Sequence, residues 1–263
     1  MQYTVDGLVI RESESGENDK RIVLLTPDRG QVTVIAKGAR SLRSKYMNST
    51  PLFTYGNYEI TERGDHAWLS GASVTEAFYG IRNDLERFAL ASYIVDVVCE
   101  LTGAAEQANE MLRLALNTLF AIANDCKPCP LIKAVFEFRA MCMSGYQPDL
   151  SECAVCGRAR AAYMYLDVMN GEIKCAECLH KLEMGKRPVP EEEVTGARIL
   201  SPLGAGALAV ARYVAEAPLE KLLSFTLDDV ATSELGRMTE TYLLHHLEHG
   251  FSSLDFYYNI LKL

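Results

Sequence analysis

The sequence predicts an α+β protein: a small five-stranded barrel over residues 1–80, then a helical domain over 81–263 that carries a four-cysteine zinc module at about 150–182. Three observations carry this. The first eighty residues run in short alternating apolar stretches rich in Val, Ile, Thr and Tyr. At Asn83 the apolar period lengthens to three or four residues. Finally, Cys153-x-x-Cys156 is followed after eighteen residues by Cys175-x-x-Cys178.

The alternation places strands at Thr4–Arg11, Arg21–Thr26, Gln31–Ala36, Tyr55–Glu62 and His66–Val74, with turns at Asp28-Arg29-Gly30 and Gly64-Asp65. Five strands with no helix among them leave two exposed edges unless the sheet closes. The oligonucleotide-binding (OB) fold is the common closed solution at this size.

The helical domain opens at Asn83-Asp84-Leu85-Glu86, a capping-box-like start, after which Leu85, Phe88, Ala89, Ser92, Tyr93 and Val95 keep helical spacing. Leu112, Leu116, Leu119 and Phe120 predict a core-facing helix over Ala108–Ala123, and Ile132, Val135 and Phe136 another over Pro130–Met143. Arg187-Pro188-Val189-Pro190 followed by Glu191–Glu193 predicts a linker. Helices resume over Leu203–Ala215, Pro218–Phe225 and Thr232–Glu248, and there is no internal repeat.

Cys153, Cys156, Cys175 and Cys178 have two-knuckle zinc spacing. Each C-x-x-C bend turns two thiolates to one side, and two bends supply the four soft ligands of a tetrahedral ion at about 2.3 Å. A fully ligated ion has no open position for water, so one structural zinc per chain is expected to contribute folding energy rather than Lewis-acid chemistry. A third pair, Cys126-Lys127-Pro128-Cys129, lies between two predicted helices and outside that window; it reads as loop cysteines, with a competing zinc knuckle or a redox dithiol as the alternatives. Cys99 and Cys142 fall in apolar helical stretches, as small buried hydrophobes do.

Hydrophobic residues make up 49% of the chain and charged residues 23%, the range of a folded soluble protein. No apolar run is long enough to span a bilayer and the N-terminus lacks a basic n-region and an apolar h-region, so neither export nor a membrane partner is expected and a cytoplasmic location is. Eight cysteines in 263 residues are too sparse for a disulfide scaffold.

Enzyme motifs fail one by one. A zinc deaminase needs His-x-Glu before its cysteines, whereas His246-Leu247-Glu248 comes after all of them; His245, His246 and His249 read as a solvated helix end. Gly185-Lys186 continues with Arg187, which is no Walker loop. Gly204-Ala205-Gly206 fits a lenient dinucleotide fingerprint, but Ser201-Pro202 stands where a strand is required, so it reads as a helix start. Asp228-Asp229 and Glu191–Glu193 read as first-turn dipole partners or solvated faces. No catalytic residue is assigned.

The net charge of −9 argues against a uniform attraction for polyanions, yet between Lys20 and Tyr46 seven cations stand against Asp28 alone. Lys37-Gly38-Ala39-Arg40-Ser41-Leu42-Arg43-Ser44-Lys45 follows a predicted strand and precedes Tyr46, Phe53, Tyr55 and Tyr58. Cations that release counterions and aromatics that stack on any base suit single strands; the alternative is a solvated basic loop around core aromatics.

Gly7-Leu8-Val9-Ile10-Arg11, Glu17 to Val23, Thr26 to Gly30, Ala36 to Arg40, the cysteine segment from Cys153 to Cys178, and Tyr242 to Glu248 with Ser252-Ser253-Leu254 form one set. Taken together, these segments resemble RecO, the bacterial recombination-mediator family. The resemblance implies an OB-fold domain, then a helical domain bearing the zinc module. It implies a non-enzymatic, nucleoid-associated function: binding single- and double-stranded DNA, annealing complementary strands, contacting single-strand-binding protein, and working with RecR to load RecA. By position, the DNA-contacting candidates are Lys20, Arg21, Lys37, Arg40, Arg43 and Lys45. The competing expectation is a zinc-stabilised protein-interaction adaptor that does not touch DNA.

Overall fold

A computed structural model describes residues 1–64, 66–102, 105–184 and 199–262. The expected turn residue Asp65 and the linker from Arg187 to Glu193 lie outside them.

Five strands come first: β1 (Gln2–Ser15), β2 (Asp19–Thr26), β3 (Gly30–Ala36), β4 (Tyr55–Arg63) and β5 (His66–Glu76). They form a closed barrel in the order β1-β2-β3-β5-β4. Strand β1 pairs antiparallel with both β2 and β4, and a parallel contact at Ile35 and Trp68 joins β3 to β5. The period of two decides what fills the barrel: Ile22 and Leu24, Val34 and Ala36, and Tyr58 and Ile60 are buried, with Val9 and Leu69 beside them. Each fully buried Leu, Ile or Val contributes about 1.5–3 kcal/mol.

Strand β1 runs four residues past its expected end. Glu12, Ser13, Glu14 and Ser15 pair with Ile22, Arg21, Lys20 and Asp19 in a polar hairpin. No apolar alternation marks that stretch, because its side chains pair across strands and not with the core.

The helices are α1 (Tyr79–Arg82), α2 (Leu85–Leu101), α3 (Ala105–Ala123) and α4 (Cys129–Met143). Then come β6 (Asp149–Cys153), β7 (Tyr163–Asp167), β8 (Glu172–Cys175), α5 (Ala176–Met184), β9 (Leu200–Gly204), α6 (Ala205–Glu216), α7 (Asp229–Leu247) and α8 (Ser252–Ile260). The cap of α2 is Asp84, one residue later than expected: its Oδ1 accepts from the Arg87 N–H at 2.9 Å. Asp228 caps α7 in the same way through the Ala231 N–H. Of the expected core stripe on α3, Leu112 and Leu119 are buried while Phe120 is 54% exposed.

Two expected helices are corrected. The segment expected to be helical from Leu203 begins as a strand, β9, and the helix starts only at Ala205. The expected helix over Pro218–Phe225 is a single 3₁₀ turn at Leu219–Lys221.

The chain divides into two compact units. The first holds the barrel, α1 to α3 and α8, with Tyr93 of α2 meeting Phe251, just ahead of α8, edge to face at 5.6 Å. The second runs from Pro130 to Gly250 and contains a four-stranded sheet in the order β6-β8-β7-β9. Among the described residues no helix is long and apolar enough to cross a membrane.

Candidate metal centre and nucleic-acid interface

The four cysteines converge. Cys153 ends β6, Cys156 sits in the bend after it, Cys175 ends β8 and Cys178 lies in the first turn of α5. Strand β8 pairs with β6 so that Cys153 stands opposite Ile173, and the Ala154 N–H donates to the Ile173 carbonyl at 2.9 Å. That pairing brings two bends far apart in sequence to one point.

All four Sγ atoms lie within 4.8 Å of one another, and Cys156 and Cys175 are 3.8 Å apart. Four sulfurs at about 2.3 Å from a central ion stand about 3.8 Å from each other, so this set fits a tetrahedral thiolate site. All are free thiols, and Cys153, Cys175 and Cys178 are buried.

Backbone N–H groups favour the thiolate at Cys153, whereas burial and the neighbouring cysteines push the Cys178 thiol up. The Cys175 N–H points at the Cys153 Sγ at 3.3 Å. Burial alone would push the Cys153 thiol up, but the N–H groups of Cys175, Val155 and Cys156 outweigh it and hold the thiol down, at about 6. Gly157 closes the first bend at φ 69°, where its N–H returns to the Cys153 carbonyl at 2.9 Å. The turn between β7 and β8 closes on Gly171 at φ 64°.

Polar contacts hold the sheet around this centre. Buried Asp167 accepts from Lys174 and from Asn170, each at 2.9 Å, and Lys174 also reaches Glu172 at 2.8 Å. Burial opposes the Asp167 charge, but these hydrogen bonds prevail and keep its carboxyl below the usual range. The Arg212 guanidinium spans the carbonyls of Leu150, Ser151 and Ala159 at 2.7–2.8 Å, tying α6 to the strand that ends in Cys153.

A strand, β9, does precede Gly204, which corrects the reading of Ser201-Pro202, but it pairs antiparallel with β7. The Gly204 N–H is taken by Glu234 Oε2 at 2.9 Å, so a carboxylate occupies the helix start where a phosphate would sit. Burial and the neighbouring Glu86 push the Cys129 thiol up to about 12, far from an activated thiolate.

His246 is no solvated helix end. Its ring lies 4.3 Å from Tyr242 and 5.2 Å from Tyr146, and its Nε2 is shielded from solvent. Burial, with a smaller contribution from His245, lowers its pKa.

On the barrel the six basic candidates part ways. Arg40 stands 2.7 Å from Glu14 and also donates to the carbonyls of Gly16 and Glu17; Lys20 is 2.7 Å from Glu12. Lys45 donates to the Ser70 carbonyl at 2.9 Å, and its Nζ lies 4.8 Å from the Tyr46 ring centre. Arg21, Lys37 and Arg43 are exposed, and their side chains make no hydrogen bond or ion pair among the described residues. The aromatics expected beside the loop are mostly interior. Tyr46, Phe53 and Tyr58 are buried; the Tyr46 hydroxyl donates to the Leu69 carbonyl and that of Tyr58 to the Ser49 carbonyl, so those rings are core.

Two family models match this chain. Residues 1–78 match the recombination protein O N-terminal model and residues 82–255 the C-terminal model. The chain belongs to the RecO family. A DNA repair protein RecO of Acetivibrio thermocellus is 30% identical over 251 residues, covering 95% of this chain and 94% of the relative. Relatives of the same name from Thermoanaerobacter sp. (28%, covering 97% and 96%) and Anaeromyxobacter sp. (30%, covering 95% and 93%) align as fully.

Within this chain the two matches divide at residues 78 and 82, whereas the compact units divide at Cys129 and Pro130. Sequence reasoning passed over two features of the site. The polar hairpin carrying Glu12 and Glu14, whose like-charged i, i+2 spacing was the available signal, neutralises two of the expected DNA contacts. The aromatic next to Lys37 is Trp68, thirty-one positions along the chain, with its ring centre 5.7 Å from Lys37 Nζ.

Proposed function

We propose that this RecO-family protein acts in DNA repair and recombination without a covalent step. In this reading it binds single- and double-stranded DNA through the barrel, anneals complementary strands, and helps RecR place recombinase on DNA coated by single-strand-binding protein, in the cytoplasm. Membership of the family carries the repair role. The observation supporting the barrel as the DNA surface is the exposed set Arg21, Lys37 and Arg43, whose charge no neighbouring carboxylate consumes among the described residues. Such cations screen phosphate repulsion between two strands and release counterions. Arg40 and Lys20 belong to the support of that surface, and Lys45 holds the loop to Ser70.

The four-cysteine centre is read as a structural zinc site that stabilises the second unit, Cys153, Cys156, Cys175 and Cys178 being its ligands. A closed tetrahedral ion stores binding energy as folding energy and performs no reaction.

The test is strand annealing in the presence of single-strand-binding protein, with oligonucleotide binding titrated against salt. Lys37→Glu with Arg43→Glu is expected to weaken both and to flatten the salt dependence. The competing reading is an adaptor that never touches DNA. It draws on the net charge of −9 and on the two neutralised cations. Salt-independent binding, or annealing unchanged in the double variant, would favour it.

A further inference from the structure

The geometry points to Trp68 as a base-stacking platform for unpaired nucleobases, on the outer seam where β3 meets β5. The inference rests on the reading of the barrel as a DNA surface and adds the residue that would contact bases rather than phosphates.

Strand alternation sets which way each side chain faces. In β3, Val34 and Ala36 are buried, so Thr33, Ile35 and the following Lys37 face outward. In β5, Ala67 and Leu69 pack against the core, so His66, Trp68 and Ser70 face outward. The parallel contact of Ile35 with Trp68 then aligns the two outer rows side by side.

On that seam the half-buried Trp68 ring has His66 at 5.8 Å and Lys37 Nζ at 5.7 Å from its centre. Lys45 is held at the same place by its bond to the Ser70 carbonyl. A lysine near the outer limit of a cation–π contact, on a flexible stem, can turn to a phosphate while the ring takes the base. Tyr3 shows the contrast: Arg29 lies 3.9 Å over its ring and its hydroxyl donates to Glu62, so that face is already covered. Tyr46 and Tyr58 are interior. Trp68 therefore joins an outward aromatic surface to adjacent cations, the pairing that sequence-independent single-strand binding requires.

Trp68 is the single tryptophan of the chain, so its own emission reports the contact. The full chain is titrated with an oligothymidylate and, separately, with an abasic oligomer of equal length that keeps the phosphates but lacks bases. Binding is followed independently by anisotropy of an end label. Stacking is expected to quench the emission with oligothymidylate and not with the abasic strand. Trp68→Ala should weaken oligothymidylate about five- to one-hundred-fold while leaving its salt slope unchanged, since no charge is lost, and Trp68→Phe should retain most of the affinity. If oligothymidylate binds with unquenched emission, the platform is overturned and the barrel reading survives. If neither oligomer binds the wild-type chain, the barrel reading falls and the platform falls with it. Should Trp68→Ala fail to fold, the wild-type quenching comparison still decides.

Discussion

The Arg40 guanidinium stands 2.7 Å from the Glu14 carboxylate and donates to the carbonyls of Gly16 and Glu17, so it clasps the β1–β2 turn to the loop after β3. The Arg40 N–H bonds the Asn18 carbonyl and the Gly38 N–H bonds Asp19 Oδ1, which completes the clasp. Arg40→Ala is therefore expected to cost about 1–2 kcal/mol of stability. Arg43→Ala is expected to leave the melting temperature unchanged and to reduce the single-strand salt slope by about 0.7. Thermal melting and salt-titrated binding of the two variants, side by side, check this; equal melting of both would remove the clasp.

Lys133 on α4 is buried between Glu137 at 2.8 Å and Glu240 of α7 at 2.6 Å, and Glu137 also accepts from Thr239. Removing the lysine takes away the cation that faces the fully buried Glu137 carboxylate. Lys133→Ala should cost about 3–5 kcal/mol, whereas Lys133→Met combined with Glu137→Leu should recover most of that loss. Urea unfolding distinguishes the two; a mild effect of the single substitution would contradict the assignment.

Cys175→Ser is expected to abolish bound zinc and lower the melting temperature, with Cys153→Ser behaving alike. Cys126→Ser, outside the cluster, should change neither. Elemental analysis of purified protein with calorimetry supplies both readings, and a metal-free wild type that melts normally would end the zinc reading.

Burial, first, and the neighbouring His245 lower the His246 pKa below its ordinary 6.5. In the window below that ordinary value the unfolded chain takes up a proton that the folded chain refuses. Stability is thus fully present above about pH 6.5 and declines as pH falls, until the folded-state pKa is reached. His246→Phe should flatten this decline, read as melting temperature between about pH 5 and 7. An identical slope in the variant would show that His246 is not its source.

The barrel was legible because its strands are long enough for a period of two to show, and all five expected segments lie within β1 to β5. The gathering of Cys153, Cys156, Cys175 and Cys178 was legible because C-x-x-C spacing constrains each bend locally. The sheet of β6 to β9 was not, since strands of four or five residues are too short to declare a period. His246 was misplaced for another reason: besides Tyr242 on its own helix, its ring meets Tyr146, a hundred positions earlier in the chain.

By itself the sequence determined where the barrel strands and most of the helices lie, which four thiols gather, and which family the chain resembles. The tertiary structure decided which cations remain free and which aromatics face solvent. The reason is that charge and aromaticity belong to single residues, whereas neutralisation and exposure belong to pairs. Glu14 meets Arg40, and Lys37 meets Trp68, only when strands separated in the chain close into one barrel.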